Sequence, residues 1–127
     1  VIEECALCGS QGQETHHIIF RSQAKYMKTI KVNLTPLCME CHRGTKGVHK
    51  NKRNDLKLKL QLQSKLFKMF ACEFFTKEDI ELILDCNETE ATVIVKKLCL
   101  YIPLHQNEFR GYEKEQLIRR LLGGRLY

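Results

Sequence analysis

Two Cys-x-x-Cys pairs, Cys5/Cys8 and Cys38/Cys41, constrain this 127-residue chain more than anything else in it. Four thiols at that spacing have the chemistry of a structural zinc site. Each knuckle turn presents two sulfurs, and two knuckles complete a tetrahedron. A glycine follows the first pair, in Cys5-Ala-Leu-Cys8-Gly9, as suits a tight turn whose backbone N–H groups face sulfur. The remaining cysteines, Cys72, Cys86 and Cys99, stand singly among helix-forming residues. An odd total of seven, with no export signal, argues against a disulfide framework and for metal-bound thiolates in a reducing cytosol.

The length suits one domain, or a small core with an appendage. An apolar fraction of 43% supports a core. The N-terminal third alone is too small to fold without a staple, a role zinc would fill. No apolar run approaches the ~20 residues that a membrane-spanning helix needs. The chain opens at Val1 rather than Met, as expected of a fragment or a processed chain. The net charge of +6 is uneven: residues 1–60 hold 11 Lys/Arg against 5 Asp/Glu, whereas residues 61–127 hold 10 of each. All 11 early cations fall between Arg21 and Lys59. A basic half around a candidate metal site points to a polyanion, with Lys25, Lys28, Lys31, Lys46, Lys50, Lys52 and Arg53 as candidate phosphate contacts.

Periodicity and local signals predict an α+β chain: a small zinc-stapled module over residues 1–50, then a mostly helical part over 51–127. Residues 13–20, rich in β-branched and aromatic side chains, read as a strand containing His16 and His17. Asn33-Leu34-Thr35-Pro36-Leu37 reads as a second strand, with Pro36 at an edge. Cys38 to His42 closes the second knuckle and opens a helix. Residues 52–75 are predicted as one helix, with Leu56, Leu60, Phe67, Phe70 and Phe74 as its apolar stripe and Asn51 or Asn54 as its cap. Thr76-Lys-Glu-Asp79 and Asn87-Glu-Thr-Glu90 resemble capping boxes and start helices to about Asp85 and Tyr101, the second ended by Pro103. A last helix runs from Tyr112 to Leu122, stopped by Gly123-Gly124. The helical part is expected to pack on the module or to form a homodimer interface.

The 29 residues between Cys8 and Cys38 carry His16, His17 and Asn33, and His42 directly follows Cys41. His16-His17-Ile18, Asn33-Leu34 and Cys41-His42, in that order within a four-cysteine frame, resemble the HNH endonuclease family. The resemblance covers about Cys5 to His49. It implies a ββα-metal fold with metal-dependent cleavage of phosphodiester bonds, and the Gly-Thr-Lys-Gly-Val-His run looks most like members from phages and mobile elements, in a bacterial or phage-infected cytosol. It further implies that His16 and His42 bind a catalytic divalent metal, that His17 is the general base, and that Asn33 orients His17. The implied substrate is DNA, double-stranded, cut to leave 5′-phosphate and 3′-hydroxyl ends.

Two departures from the family pattern bear on this site. His16 stands where many members have an acid, and an imidazole shifts preference from Mg²⁺ toward Mn²⁺, Ni²⁺ or Zn²⁺. Lys46 stands where some members have a second helix histidine. His49 would lie ~10 Å beyond His42 on a straight helix, so it reaches the same metal only if Gly44 and Gly47 fold the chain back. Two competing readings remain: a zinc-stabilised nucleic-acid-binding or interaction module without cleavage, and an RNA nuclease.

Overall fold

A computed structural model describes residues 3–45, 47–100 and 111–127 of the protein. Lys46, Pro103 and His105 lie outside the described residues.

The N-terminal module follows the predicted order of strand, loop, strand, helix. Strand β1 (Glu14–His17) pairs antiparallel with β2 (Leu34–Leu37), with His17 opposite Leu34 and Glu14 opposite Leu37. Among the described residues the sheet has only these two strands, so Pro36 costs no ladder bond to a further neighbour. Two short 3-10 turns, Lys25–Met27 and Lys31–Asn33, shape the intervening loop. Helix α1 (Met39–Arg43) follows at once, and Cys38 caps it by accepting from the Cys41 N–H.

The chain then reverses. Gly44 ends α1, the Gly47 N–H donates to the Gly44 carbonyl at 2.9 Å, and the Val48 N–H returns to the Cys41 carbonyl at 2.9 Å. A Cβ on Gly47 would sit 2.8 Å from the His42 carbonyl oxygen, so only glycine permits the reversal.

Helix α2 (Lys52–Met69) is capped by the Asn51 side chain, which accepts from the Arg53 and Asn54 N–H groups. Two expectations for this helix are corrected. It stops at Met69, and Phe74 and Phe75 instead form β3, paired with β4 (Tyr112–Glu113). Its buried stripe is Leu58, Leu62 and Leu66, continued by Phe70 beyond its end, whereas Leu56 and Leu60 face out. Leucines at alternate positions satisfy helical spacing on two opposite faces. Tertiary packing chose one.

Helices α3 (Lys77–Leu84) and α4 (Glu88–Val95) start at the two predicted capping boxes, Thr76/Asp79 and Asn87/Glu90. Helix α4 ends at Val95, short of the expected Tyr101. Helix α5 (Lys114–Leu121) starts two residues late because Tyr112 and Glu113 pair with β3, and it ends where Gly123 and Gly124 take positive φ.

One hydrophobic core joins these parts. Ile19, Met27 and Ile30 of the module cluster with Leu58, Leu66, Ile94, Leu117 and Leu121. Polar contacts reinforce the junction. The Tyr26 hydroxyl donates to the Arg120 carbonyl at 2.6 Å, and the Arg120 guanidinium lies 3.6 Å from the Tyr26 ring centre. Thr29 bonds Glu90, and Lys31 pairs with Asp85. No helix among the described residues is long and apolar enough to cross a membrane.

Candidate metal centre and active site

The two knuckles converge. One sulfur from each of Cys5, Cys8, Cys38 and Cys41 lies within 4.8 Å of the others. The Cys8 and Cys38 sulfurs are 3.6 Å apart, far beyond a disulfide bond and close to the ~3.8 Å between thiolates bound to one tetrahedral zinc at ~2.3 Å. All seven cysteines are free thiols. Burial alone would push Cys5 up, but the backbone N–H groups of Cys38, Cys8 and Leu7 outweigh it and hold the thiol near 6. The Cys41 N–H likewise lowers Cys38. Burial, then the neighbouring thiols, pushes Cys41 strongly up. Four sulfurs cannot all ionise so close together without a cation, and a dication among them resolves that conflict.

A second cluster starts at the next residue of α1, His42. Ring nitrogens of His16, His42 and His49 come within 4.8 Å of one another. The chain reversal at Gly44 and Gly47 is what carries His49 there. The Nε2 atoms of His42 and His49 are 3.1 Å apart, close to the ~3.3 Å expected of two imidazoles at ~2.05 Å from one tetrahedral zinc. His16 is only 1% exposed, and its Nε2 is buried with no hydrogen-bond partner. An orphaned buried nitrogen is costly unless something electrophilic meets it. Burial, then the fields of His42, His49, His17 and Lys59, drives His16 down to about 3. His49 is lowered by burial and by His42. His16 is thus a neutral donor at working pH. The donor set fits a divalent metal.

Adjacent residues on a strand face opposite ways, so His17 is not one of the three clustered imidazoles, although it lines the same cleft and is half-buried there. Its Nε2 lies 3.1 Å from the Lys28 carbonyl oxygen. A carbonyl only accepts, so Nε2 carries the proton and Nδ1 keeps its lone pair. Asn33 was expected to orient His17, and its contacts lie elsewhere. Its Oδ1 accepts from the Ile19 N–H at 2.7 Å, and its Nδ2 donates to the Ile19 and Met27 carbonyls at 3.2 and 3.1 Å. These bonds use both amide protons. Asn33 instead braces the loop from which Lys28 presents its carbonyl.

Sequence reasoning missed Glu14. Its carboxylate accepts from His42 Nδ1 at 2.9 Å and from Arg43 at 2.6 Å. The His42 bond, then Arg43, holds the Glu14 carboxyl below its usual range. Because Nδ1 donates, Nε2 of neutral His42 is bare and faces His49 and His16. Strand period was the available signal, since Glu14 and His16 share a face of β1. Phe20 and Lys59 were also missed. Lys59 is buried, bonds Asp55 at 2.8 Å and sits 4.3 Å above the Phe20 ring, whose other neighbours are His49 and His16. Nothing local marks a lysine for that position.

A cleft of about 380 Å³ opens over the cluster, lined by His16, His17, Phe20, Arg21, Ser22 and His49. Of the predicted phosphate contacts, Lys25, Lys28, Lys50, Lys52 and Arg53 are exposed. Lys31 is exposed too, with its ammonium on Asp85.

Residues 5–46 match the family model described as HNH endonuclease. This segment is similar to HNH endonuclease domains. Its four clustered cysteines fit the zinc-binding subgroup. The match ends short of His49, so the third imidazole lies outside the matched residues. An HNH domain supports a nuclease-type function on nucleic acid in general. No curated protein and no solved structure matches the chain.

Proposed function

We propose that the protein is a metal-dependent endonuclease that hydrolyses phosphodiester bonds of DNA, with structural zinc on Cys5, Cys8, Cys38 and Cys41. The observation that carries the reading is the buried, unpartnered Nε2 of His16 facing His42 and His49, with His17 beside it on the strand. His16, His42 and His49 hold the catalytic cation. Three imidazoles with no carboxylate among them favour Mn²⁺, Ni²⁺ or Zn²⁺ over Mg²⁺. When bound, the metal supplies Lewis-acid stabilisation of negative charge on phosphate oxygen and on the leaving 3′ oxygen.

The chain's own groups do the rest. Nδ1 of His17 takes a proton from the attacking water. The Lys28 carbonyl keeps the proton on Nε2, holds the ring in place and steadies the imidazolium that forms. Glu14 fixes the tautomer and tilt of His42, as a carboxylate behind a metal-bound histidine does. The products carry 5′-phosphate and 3′-hydroxyl ends. Free thiols in metal geometry suit a reducing cytosol.

Nicking of supercoiled plasmid with Mn²⁺, Ni²⁺, Zn²⁺ or Mg²⁺ tests the reading, wild type against His17→Ala. Metal-dependent nicking that drops at least a hundredfold in the variant is expected. DNA binding without nicking in any metal overturns it in favour of a non-cleaving module. Faster cleavage of structured RNA than of duplex DNA overturns the choice of substrate.

A further inference from the structure

Helix α2 is two-faced in an unusual way. Its inner face carries Leu58, Leu62 and Leu66 in the core. On the opposite face, at helical spacing, stand Arg53, Leu56, Lys57, Leu60, Gln61 and Ser64, which together line a shallow surface groove. Lys68 continues the same face one turn further. Leu56 and Leu60 are 44% and 42% exposed. No acid interrupts this face. The one acid in the helix, Asp55, points inward and is taken by Lys59. No ion pair engages Arg53, Lys57 or Lys68 among the described residues.

The helix begins three residues after His49, so the face starts at the metal cluster and runs ~27 Å away from it over 18 residues. Three unpaired cations with two leucines, a carboxamide and a hydroxyl make a surface for a polyanion with apolar edges. Phosphates meet the cations, deoxyribose and thymine methyl groups meet the leucines, and Gln61 and Ser64 can bond either phosphate or base edge. A second copy of the chain laid symmetrically on this face would bring like charges together, which disfavours it.

Resting on the nuclease reading, we infer that the outer face of α2, Arg53 and Lys57 to Lys68 with Leu56 and Leu60 between, is a DNA track that leads duplex away from the site. The track is distinct from the loop lysines around Lys25 and Lys28. It makes the length of DNA beside the cut, rather than the cleft alone, the source of affinity.

The test compares two proteins in a His17→Ala background, one with α2 intact and one carrying Arg53→Gln, Lys57→Gln and Lys68→Gln. Binding to a 30-base-pair duplex is followed by fluorescence anisotropy from about 50 to 200 mM salt. Each phosphate contact contributes ~0.9 to the slope of log affinity against log salt. The triple variant is expected to lose about 2 to 3 from that slope and to bind at least tenfold more weakly at ~100 mM salt. Leu56→Gln with Leu60→Gln should weaken binding with the slope unchanged. An unchanged slope and affinity in the triple variant overturns the track, as does a light-scattering mass of two chains that falls to one on these substitutions. Plasmid nicking by the wild type reports separately on the nuclease reading: nicking with an unchanged slope sinks only the track, and no nicking with a reduced slope sinks only the activity.

Discussion

Asn33 offers the sharpest way to separate two accounts of this site. If it orients His17 directly, removing it harms catalysis and little else. Its bonds indicate a different outcome for Asn33→Ala. The side chain is fully buried, and its loss strands the Ile19 N–H and removes a donor from the Ile19 and Met27 carbonyls. Each buried polar group left unsatisfied costs ~1–3 kcal/mol, which puts the total at about 3–6 kcal/mol after partial relaxation. Against the ~5–15 kcal/mol that holds a typical domain together, that is a large share. With a urea slope of ~1.5 kcal/mol/M, the unfolding midpoint should fall by about 2 M or more at fixed zinc. Cleavage by the molecules still folded should also drop, by ~100-fold or more, because a loop shift of about 1 Å misplaces the Lys28 carbonyl and with it the base. Asn33→Asp keeps the acceptor for Ile19 but sets a carboxylate against two carbonyls, so it should be destabilised as well. A wild-type urea midpoint in Asn33→Ala, combined with lost nicking, would refute the bracing role and return Asn33 to the reacting groups.

Three further outcomes follow from the same geometry. Glu14→Gln removes the carboxylate behind His42, and affinity for Mn²⁺ or Zn²⁺ at the imidazole cluster, read by calorimetry on zinc-loaded protein, should weaken ~10–100-fold. Lys59→Ala leaves Asp55 in a largely buried place without its partner and should cost ~3 kcal/mol by urea unfolding, whereas Lys59→Met with Asp55→Leu should recover most of it. Full stability in the single variant would show that the pair is hydrated. His16 sits near 3 when folded and at its ordinary 6.5 when unfolded, so the unfolded chain binds the proton first. Stability without the catalytic metal is therefore complete above 6.5 and drains as pH falls toward 3, by up to ~1.4 kcal/mol per pH unit. Between pH 6.5 and 5, above the range where carboxylates titrate, His16→Gln should flatten that loss, and identical slopes in the two proteins would rule the assignment out.

What could be read from the chain alone was local. The thiolate spacing, the strand-loop-strand-helix order and the capping boxes at Thr76 and Asn87 depend on residues a few positions apart, so their chemistry is written in short stretches. What could not be read was relational. Leu56 and Leu58 are equally good helix residues, and only the packing of α2 onto the common core, α5 included, decides which is covered. Phe74 and Phe75 extend a helical pattern, yet they pair with Tyr112 and Glu113, far along the chain. The fold-back of His49 was legible as a condition on Gly44 and Gly47. The partners of Asn33 were not, because they are backbone groups, and backbone looks the same at every position. Glu14 lay within reach of strand period, two residues before His16.

The two clusters are coupled by a single short helix. Cys41 and His42 are consecutive on α1, and ~100° of helical rotation turns one toward sulfur and the next toward imidazole. Cys38 caps the same helix through the Cys41 N–H, and the Cys41 carbonyl receives the Val48 N–H that sets His49 in place. The sulfur cluster therefore fixes two of the three imidazoles through backbone bonds at one residue. A soft tetrahedral site is well suited to that duty, since thiolate–zinc bonds hold their angles where a five-residue helix could not hold itself. The imidazole cluster faces the opposite demand. Under the proposed activity it leaves room for phosphate, with three imidazoles together and a cleft opening over them. Rigidity is placed in the sulfurs and openness in the histidines, and α1 is the element short enough to serve both.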